Sequence, residues 1–352
     1  MSRDSMPLPR TSIEPMSALV RRFFTLSLRD NDWPSDGKTL QDVILIDILG
    51  SPIYKICPPA LDFQKQFWKR VVVRLESYCD IEEVDEQIYK VYLPLISSAS
   101  STAASRFEGA PPPSFVTHFW SQPTSSTIVS TTLLEARTTI QDGTTGLRTW
   151  GASLMMCQYL QQRPEVVRGK AILELGCGAG LLGLVVSQLG AQSVTLTDCR
   201  NDVLQQCRRN ADLPPNITSQ ANIATALLDW SEADDSDDGG PIGEFARSSL
   251  VDLIIGTDIV YAVEIIPALV QTLKVFLQHA SSLKEIIIAL TVRREETFDA
   301  FVTKLGAAGI CFIVEPVVPE LGGDFFLTAN DVDASSTFKM IRIPAATRAL
   351  ST

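Results

Sequence analysis

The chain has 352 residues, 45% of them hydrophobic and 20% charged, and a formal net charge of −11. This length exceeds the usual size of one domain, so we expect two domains or one large domain with an appendage. The acidic excess argues against direct nucleic-acid binding, because phosphate binding needs a basic surface, whereas a basic protein surface would be a compatible partner. No stretch reaches the roughly 18–20 uncharged apolar residues of a membrane-spanning helix, and the polar, proline-broken start is not typical of a secretory signal.

The seven cysteines are scattered and are never spaced as a C-x-x-C pair, and the chain has only two histidines, His118 and His279. A metal site is therefore not expected. Reduced, mostly buried thiols are expected instead. We predict a monomeric cytoplasmic protein that does not contact a membrane.

In chain order, residues 15–96 are predicted to form a helical N-terminal subdomain that recognises a protein substrate or packs on the second domain. Apolar residues recur there at helical spacing, as in VRRFFTLSLRD and FQKQFWKRVVVRLESYC. Residues 97–126, rich in serine, alanine and proline, are predicted to be a linker. The following segment alternates and carries Asp142-Gly143 as a turn signal, which predicts a strand or a hairpin.

Residues 127–345 are predicted to form an α/β domain, in which helical segments and strands alternate after Trp150. Seven strands are predicted, at 171–176, 193–198, 224–230, 251–258, 285–292, 309–316 and 335–344. Continuous apolar runs such as IIIAL indicate strands buried on both faces, and crossover helices indicate a mostly parallel sheet. The last two predicted strands have no predicted helix between them, so an antiparallel final strand is expected.

A glycine loop, ELGCGAG (174–180), leaves the first of these strands and enters a helix. Glycines at 176, 178 and 180 allow a tight turn and a close approach of the backbone to a ligand. A dinucleotide fingerprint would need a third glycine where Leu181 stands, so the spacing disfavours a nicotinamide dehydrogenase. A tight strand–helix turn without a ligand is the alternative.

Acidic and aromatic residues follow two further strands at the edge where ligands bind in open α/β sheets. Asp198 ends the next strand, and its carboxylate could accept both ribose hydroxyls of an adenosyl ligand; a helix cap is the alternative. Asp258 and Tyr261 follow the fourth strand, where the reacting group is expected. A capping aspartate and a half-buried tyrosine would be the alternative for that pair.

Taken together, these residues resemble the class I, seven-β-strand protein-lysine methyltransferases, in the branch with a D-x-x-Y motif, here Asp258-x-x-Tyr261. The resemblance implies a Rossmann-like seven-strand methyltransferase fold and S-adenosyl-L-methionine as cofactor. We expect Asp258 to orient the entering amine and Tyr261 to narrow its channel; a structural role of Asp258 in fixing the loop is the alternative. The cofactor contacts that the resemblance implies are Trp150, Glu174, Gly176, Cys177, Gly178, Gly180, Asp198, Trp230 and Thr257.

The segment GTTGLRTW (143–150), with a helical N-terminal extension that contains Cys57-Pro58-Pro59, is similar to the eukaryotic elongation factor 2 lysine methyltransferase family. This resemblance implies methyl transfer to a lysine side chain of a protein substrate, translation elongation factor 2. Methylation of another protein or of a small molecule, and a scaffold that binds the cofactor without catalysis, remain as alternatives. The linker and the acidic run Glu232–Asp238 depart from the family pattern and are predicted to be loop insertions.

Overall fold

The computed structural model describes residues 16–97, 111–122, 127–139, 143–217, 222–233, 239–317 and 337–345. Predictions for the first 15 residues, for most of the linker, for Asp142 and for the acidic residues 234–238 lie outside the described residues. So does the segment between the last two predicted strands.

The N-terminal part is helical, as predicted, and has an aromatic core. Its elements are α1 (Ala18–Phe24), α2 (Gly37–Asp42), a π-helical turn (Val43–Leu49), α3 (Pro52–Ile56), α4 (Leu61–Ser77) and α5 (Glu86–Ser97). In α4 the apolar residues recur at helical spacing, and Phe67, Trp68 and Val71 are all fully buried. The ring of Phe67 lies 4.4 Å from that of Phe23 in α1, centroid to centroid. The domain boundaries stay predictions, but the helicity of this region is confirmed.

A β-hairpin follows the helical region and begins within the predicted linker. Strand β1 (Ser114–Ser121) lies inside the range 97–126 and pairs antiparallel with β2 (Ile128–Glu135). The alternating segment therefore pairs with the chain before it, and the turn at Gly143 is not part of this hairpin. Because successive strand residues point to opposite faces, Phe119 packs in the helical core and Trp120 in the core of the α/β part. The hairpin therefore contributes a side chain to each of the two hydrophobic cores.

In the described part of the chain, seven strands form one sheet in the order β5-β4-β3-β6-β7-β9-β8. These strands are β3 (Ala171–Leu175), β4 (Ser193–Asp198), β5 (Asn222–Leu227), β6 (Leu253–Thr257), β7 (Glu285–Val292), β8 (Ile313–Val317) and β9 (Thr337–Pro344). The final strand β9 runs antiparallel to both β7 and β8, while the pairs among β3–β7 are parallel. The predicted seven-strand fold is confirmed.

Helices cover both faces of the sheet. They are α6 (Gly151–Gln162), α7 (Leu181–Gln188), α8 (Asn201–Ala211), α9 (Gly240–Ser248), α10 (Ile266–His279) and α11 (Glu295–Ala307). Successive residues of β7 point to opposite faces of the sheet. Ile287 packs with α6 and α7 on one face, and Ile286 packs with α10 and α11 on the other. Sequence reasoning missed α9, a short helix with a proline in its first turn. Among the helices described, none is long and apolar enough to cross a membrane.

The order of the strands positions the ligand site. From β3 the chain adds β4 and β5 on one side, and then returns to place β6 and β7 on the other side. Ligands bind at such a switch point, outside the carboxyl ends of the strands. The glycine loop after β3 and Asp258 after β6 flank this point.

Candidate functional site

A cavity of about 530 Å³ opens at the carboxyl edge of the sheet. Its volume falls in the range of ligand pockets, roughly 300–1,000 Å³. Its walls come from the loops after β3, β4, β5 and β6 and from the segment that precedes α6. Ten predicted site residues line it: Trp150, Gly176, Cys177, Gly178, Gly180, Asp198, Trp230, Thr257, Asp258 and Tyr261. Glu174 is the predicted site residue that does not.

The glycine loop needs its glycines for conformation and for space. Gly176, Gly178 and Gly180 have φ values of 64°, 52° and 93°, which side chains rarely tolerate. A Cβ at Gly178 would lie 3.1 Å from the carbonyl oxygen of Gly146, and one at Gly180 would lie 2.6 Å from the sulfur of Cys207. The loop therefore presents bare backbone to the cavity.

Cys177 contributes to this loop through its backbone, since its N–H donates to the carbonyl of Thr197 at 2.8 Å. Its thiol is buried. Hydrogen bonding to Cys207 and burial raise the pKa of the Cys177 thiol well above its usual value. The side chain is thus not an activated nucleophile at neutral pH.

Glu174 lies in β3, beneath the loop, with only 1% of its surface exposed. Burial raises the pKa of this carboxyl to about 8, because an apolar environment disfavours the charged form. Its Oε2 atom has no hydrogen-bond partner among the described residues. A Cβ at Gly183 in α7 would lie 2.8 Å from that oxygen. The carboxyl is therefore packed between strand and helix, and its predicted cofactor contact stays a prediction.

Asp198 ends β4 and links it to the glycine loop. One carboxylate oxygen accepts a hydrogen bond from the backbone N–H of Arg200 at 3.1 Å, and the other accepts one from that of Gly178 at 3.4 Å. Burial raises the pKa of this carboxyl. Asp198 also lines the cavity, so its carboxylate borders the space that a ligand would fill.

Asp258 is held by several protein groups, which the sequence did not reveal. One oxygen accepts from the backbone N–H of Thr291 at 2.8 Å; the other accepts from the Thr291 hydroxyl at 3.1 Å and from the N–H of Ala152 at 3.3 Å. Arg293 forms an ion pair with it at 3.5 Å. The carboxylate thus joins the ends of β6 and β7 to the first turn of α6. Its predicted contact with a substrate amine stays a prediction.

Three aromatic residues border the cavity. Trp150 precedes α6 and its indole N–H donates to the carbonyl of Thr145 at 3.1 Å, while the guanidinium of Arg293 lies 5.0 Å from its ring centroid. The Trp230 ring lies beside the glycine loop, 3.7 Å from where a Cβ of Gly176 would be. Tyr261 stands at the mouth with 63% of its surface exposed. Burial of part of this ring raises the pKa of its hydroxyl.

Sequence reasoning missed Arg293 and Thr291, which hold Asp258. Their position directly at the end of a predicted strand, at the same edge as the glycine loop, was the available signal. In the described residues, no group of three or more histidine, cysteine, aspartate or glutamate side chains could hold a metal ion.

Comparison with known proteins identifies the family. A family model described as lysine methyltransferase matches residues 130–307, about half of the chain. The chain belongs to this lysine methyltransferase family. The match covers most of the second strand of the hairpin, the glycine loop, Asp198 and the Asp258-x-x-Tyr261 motif. The enzyme class that the sequence predicted is confirmed by it.

Curated relatives of this family member match it over different lengths. The protein-lysine N-methyltransferase EEF2KMT of Homo sapiens is 29% identical over 321 residues, which are 86% of this chain and 90% of the relative. The protein N-lysine methyltransferase METTL21A of Danio rerio is 35% identical over 156 residues, 44% of this chain and 65% of the relative. Among solved structures, an Agrobacterium tumefaciens SAM-dependent methyltransferase covers 61% of this chain and 67% of its own at 14% identity, with a TM-score of 0.40.

Proposed function

We propose that this lysine methyltransferase transfers methyl groups from S-adenosyl-L-methionine to a lysine of translation elongation factor 2. We further propose that it acts as a cytoplasmic monomer and contacts neither nucleic acid nor a membrane. The observation that carries the reaction is the cavity formed by the glycine loop, Asp198 and the Asp258-x-x-Tyr261 motif in a chain of this family.

The residues of the cavity fit an adenosyl ligand. Three left-handed glycines form the loop along the cavity wall, and a Cβ at any of them would press against neighbouring protein atoms. The Asp198 carboxylate is an acceptor suited to a pair of ribose hydroxyls, and Trp230 offers an aromatic face beside Gly176. Leu181 is buried where a pyrophosphate-binding loop would have its third glycine. This arrangement favours S-adenosylmethionine over a nicotinamide dinucleotide.

When bound, the cofactor supplies an electrophilic methyl group. The chain's own residues then orient the acceptor and exclude water, which is where most of the rate gain of such a reaction arises. Asp258 fixes the relation of β6, β7 and α6 around the cavity, and Tyr261 narrows the mouth through which a lysine enters. A lysine must lose its proton before it can attack, and its ordinary pKa of about 10.4 makes this a cost at neutral pH.

The substrate is proposed from the extent of the match to EEF2KMT of Homo sapiens. That alignment covers 86% of this chain, much more than residues 130–307 of the family model, so it includes part of the helical N-terminal region. METTL21A matches only 44% of the chain. A shared N-terminal extension supports a shared protein substrate, because the reaction itself needs only the α/β part.

The proposal is tested by incubating the full chain with labelled S-adenosylmethionine and purified elongation factor 2, followed by mass spectrometry of the product. We expect label on a lysine. Asp198→Asn should lower activity by at least about tenfold through lost ribose hydrogen bonds, whereas Asp212→Asn, at an exposed residue after α8, should have no effect.

Label on another protein in a cell lysate would retain the enzyme and reject the substrate. Binding of the cofactor without transfer to any protein would reject the enzymatic activity and favour a scaffold.

A further inference from the structure

A second cavity of about 400 Å³ adjoins the first at the carboxyl edge of the sheet. It lies between the loop after β6 and the loop after β7, and Thr297 and Phe298 of α11 close one side. Tyr261 and Glu264 line both cavities. Tyr261 and Glu264 therefore lie at the border between the two cavities.

Arg293 stands at the border of the two cavities. It lines the second, and it contacts two residues that line the first: its guanidinium lies 5.0 Å from the ring centroid of Trp150 and 3.5 Å from a carboxylate oxygen of Asp258. Its side chain is 48% exposed, whereas that of Asp258 is 7% exposed. The positive charge is thus fixed on a buried carboxylate and an aromatic face, with its outer side open.

We propose that the second cavity receives the segment that carries the acceptor lysine, and that Arg293 is a positioning residue that favours the neutral amine at the entrance to the first cavity. This inference rests on the proposed methyl transfer to lysine. The ammonium would release its proton to water at the exposed mouth, where Tyr261 and Arg293 are both accessible.

The physical reason is the charge balance around the entering amine. With Arg293 in place, the carboxylate of Asp258 is already paired with a cation. A protonated lysine that enters would therefore approach the guanidinium of Arg293, which carries the same charge as the lysine. A like charge nearby disfavours the protonated amine. Without Arg293, Asp258 would pair with the lysine ammonium itself and hold it in the form that cannot attack.

Other ionisable groups surround this border. They are Tyr261, Glu264 and Arg294 in the second cavity, the Glu295–Lys339 ion pair next to Phe298, and Arg148, Asp198, Cys199, Arg200 and Asp229 in the first cavity. Of these, Glu264 is exposed and shares both cavities, so it opposes Arg293. Both side chains are exposed and therefore screened by water, but Arg293 is held at the border by its contacts with Trp150 and Asp258, so its charge stays at the entrance.

The test measures kcat/KM of the full chain on elongation factor 2 from about pH 7 to pH 10, at saturating cofactor. Arg293→Gln should lose about tenfold near pH 7.5 and recover towards pH 10, where a substantial fraction of lysine is neutral without help. Arg293→Lys keeps the charge and should keep most of the profile. Lys304→Gln, which removes an exposed charge from α11 and lines neither cavity, should match the unmodified enzyme.

A loss in Arg293→Gln that is the same at every pH would overturn the inference, because a merely structural role would give that result. So would a wild-type profile in this variant.

A second measurement does not depend on the substrate. Binding of n-butylamine to the full chain is followed by saturation-transfer NMR over the same pH range. We expect binding to strengthen as the amine becomes neutral, and Arg293→Gln to restore binding of the ammonium at low pH. Equal pH dependence in both proteins, or no binding, would overturn the inference. If this result holds while elongation factor 2 is not methylated, only the substrate proposal fails.

Discussion

Asp258 adopts a φ of 52°, a left-handed conformation that costs a non-glycine residue about 1–2 kcal/mol. Its carboxylate offsets this cost by accepting from Thr291 and Ala152. The sequence motif thus contains a residue that shapes the site before it can contact any substrate.

We expect Asp258→Ala to lower the free energy of unfolding by about 2–4 kcal/mol, since it leaves the N–H groups of Thr291 and Ala152 without their acceptor. Asp258→Asn should fall between this variant and the wild type, because asparagine tolerates positive φ and keeps one acceptor oxygen. Urea denaturation measures both. Asp299→Ala, at an exposed position of α11, is the control. An Asp258→Ala variant that keeps both its stability and its kcat would refute a role for this side chain in shaping the site.

Glu174 predicts a pH dependence of stability. Its pKa is about 8 in the folded protein and about 4.3 when unfolded, so the folded state holds one more proton between these values. Stability from this group is complete below about pH 4.3 and is lost as pH rises to about 8, by at most about 1.4 kcal/mol per pH unit. Glu174→Gln should flatten the profile from pH 5 to 8 in urea denaturation. An unchanged slope would show that this carboxyl is already ionised in the folded state.

At the scale of elements, two asparagines attach the hairpin to the α/β part. Asn216 accepts from the backbone N–H of Thr132 at 2.9 Å and donates to its carbonyl at 2.6 Å. Asn210 in α8 accepts from the N–H of Leu134 and donates to the carbonyl of Ala179 in the glycine loop, both at 2.9 Å. The backbone groups at the edge of β2 that does not face β1 therefore bond to these two side chains. Asn210 also supports the glycine loop.

Asn210→Ala should lower both stability and cofactor affinity, because the carbonyl of Ala179 and the N–H of Leu134 would both lose their hydrogen bond to this side chain. Asn216→Ala should lower stability alone, by about 2–4 kcal/mol, since it leaves two buried backbone groups unpaired. Urea denaturation and calorimetry of S-adenosylmethionine binding separate the two effects. Asn222→Ala, exposed in β5, should change neither. Equal affinity in the wild type and Asn210→Ala would show that the hairpin does not support the loop.

At the scale of the whole molecule, the hairpin connects the helical core to the core of the α/β part. Phe119 lies 5.2 Å from Phe24, ring centroid to centroid, and its backbone carbonyl accepts from the guanidinium of Arg21 at 2.7 Å. Trp120, next in the chain, is fully buried in the other core. Neither core is complete without a residue of β1.

Phe119→Ala should destabilise the protein by about 3–5 kcal/mol, the usual cost of removing a core phenylalanine. It should also separate thermal unfolding into two steps, the helical part first, because the contact that couples the cores is lost. Scanning calorimetry of the full chain measures this. Ile128→Ala, at an exposed position of β2, should keep a single transition. A single, uniformly lowered transition in Phe119→Ala would mean that other contacts couple the cores.

Sequence alone was sufficient for the sheet and the loop, since both depend on local pattern. Strands β4 and β7 were predicted with their observed bounds, and Gly176, Gly178 and Asp198 were placed at the cavity from their spacing. Apolar runs and glycine conformations are properties of short segments, so a linear reading captures them.

Tertiary structure decided the rest, because those features depend on groups far apart in the chain. Strand β1 was hidden in a serine- and proline-rich segment, and it forms because Phe119 and Trp120 meet two different cores. Asp258 meets Ala152, 106 residues earlier, and Thr291, 33 residues later, so no motif could reveal that its carboxylate is already engaged. Glu174 is buried beneath the glycine loop and does not line the cavity. This burial, which the sequence does not give, raises the pKa of its carboxyl.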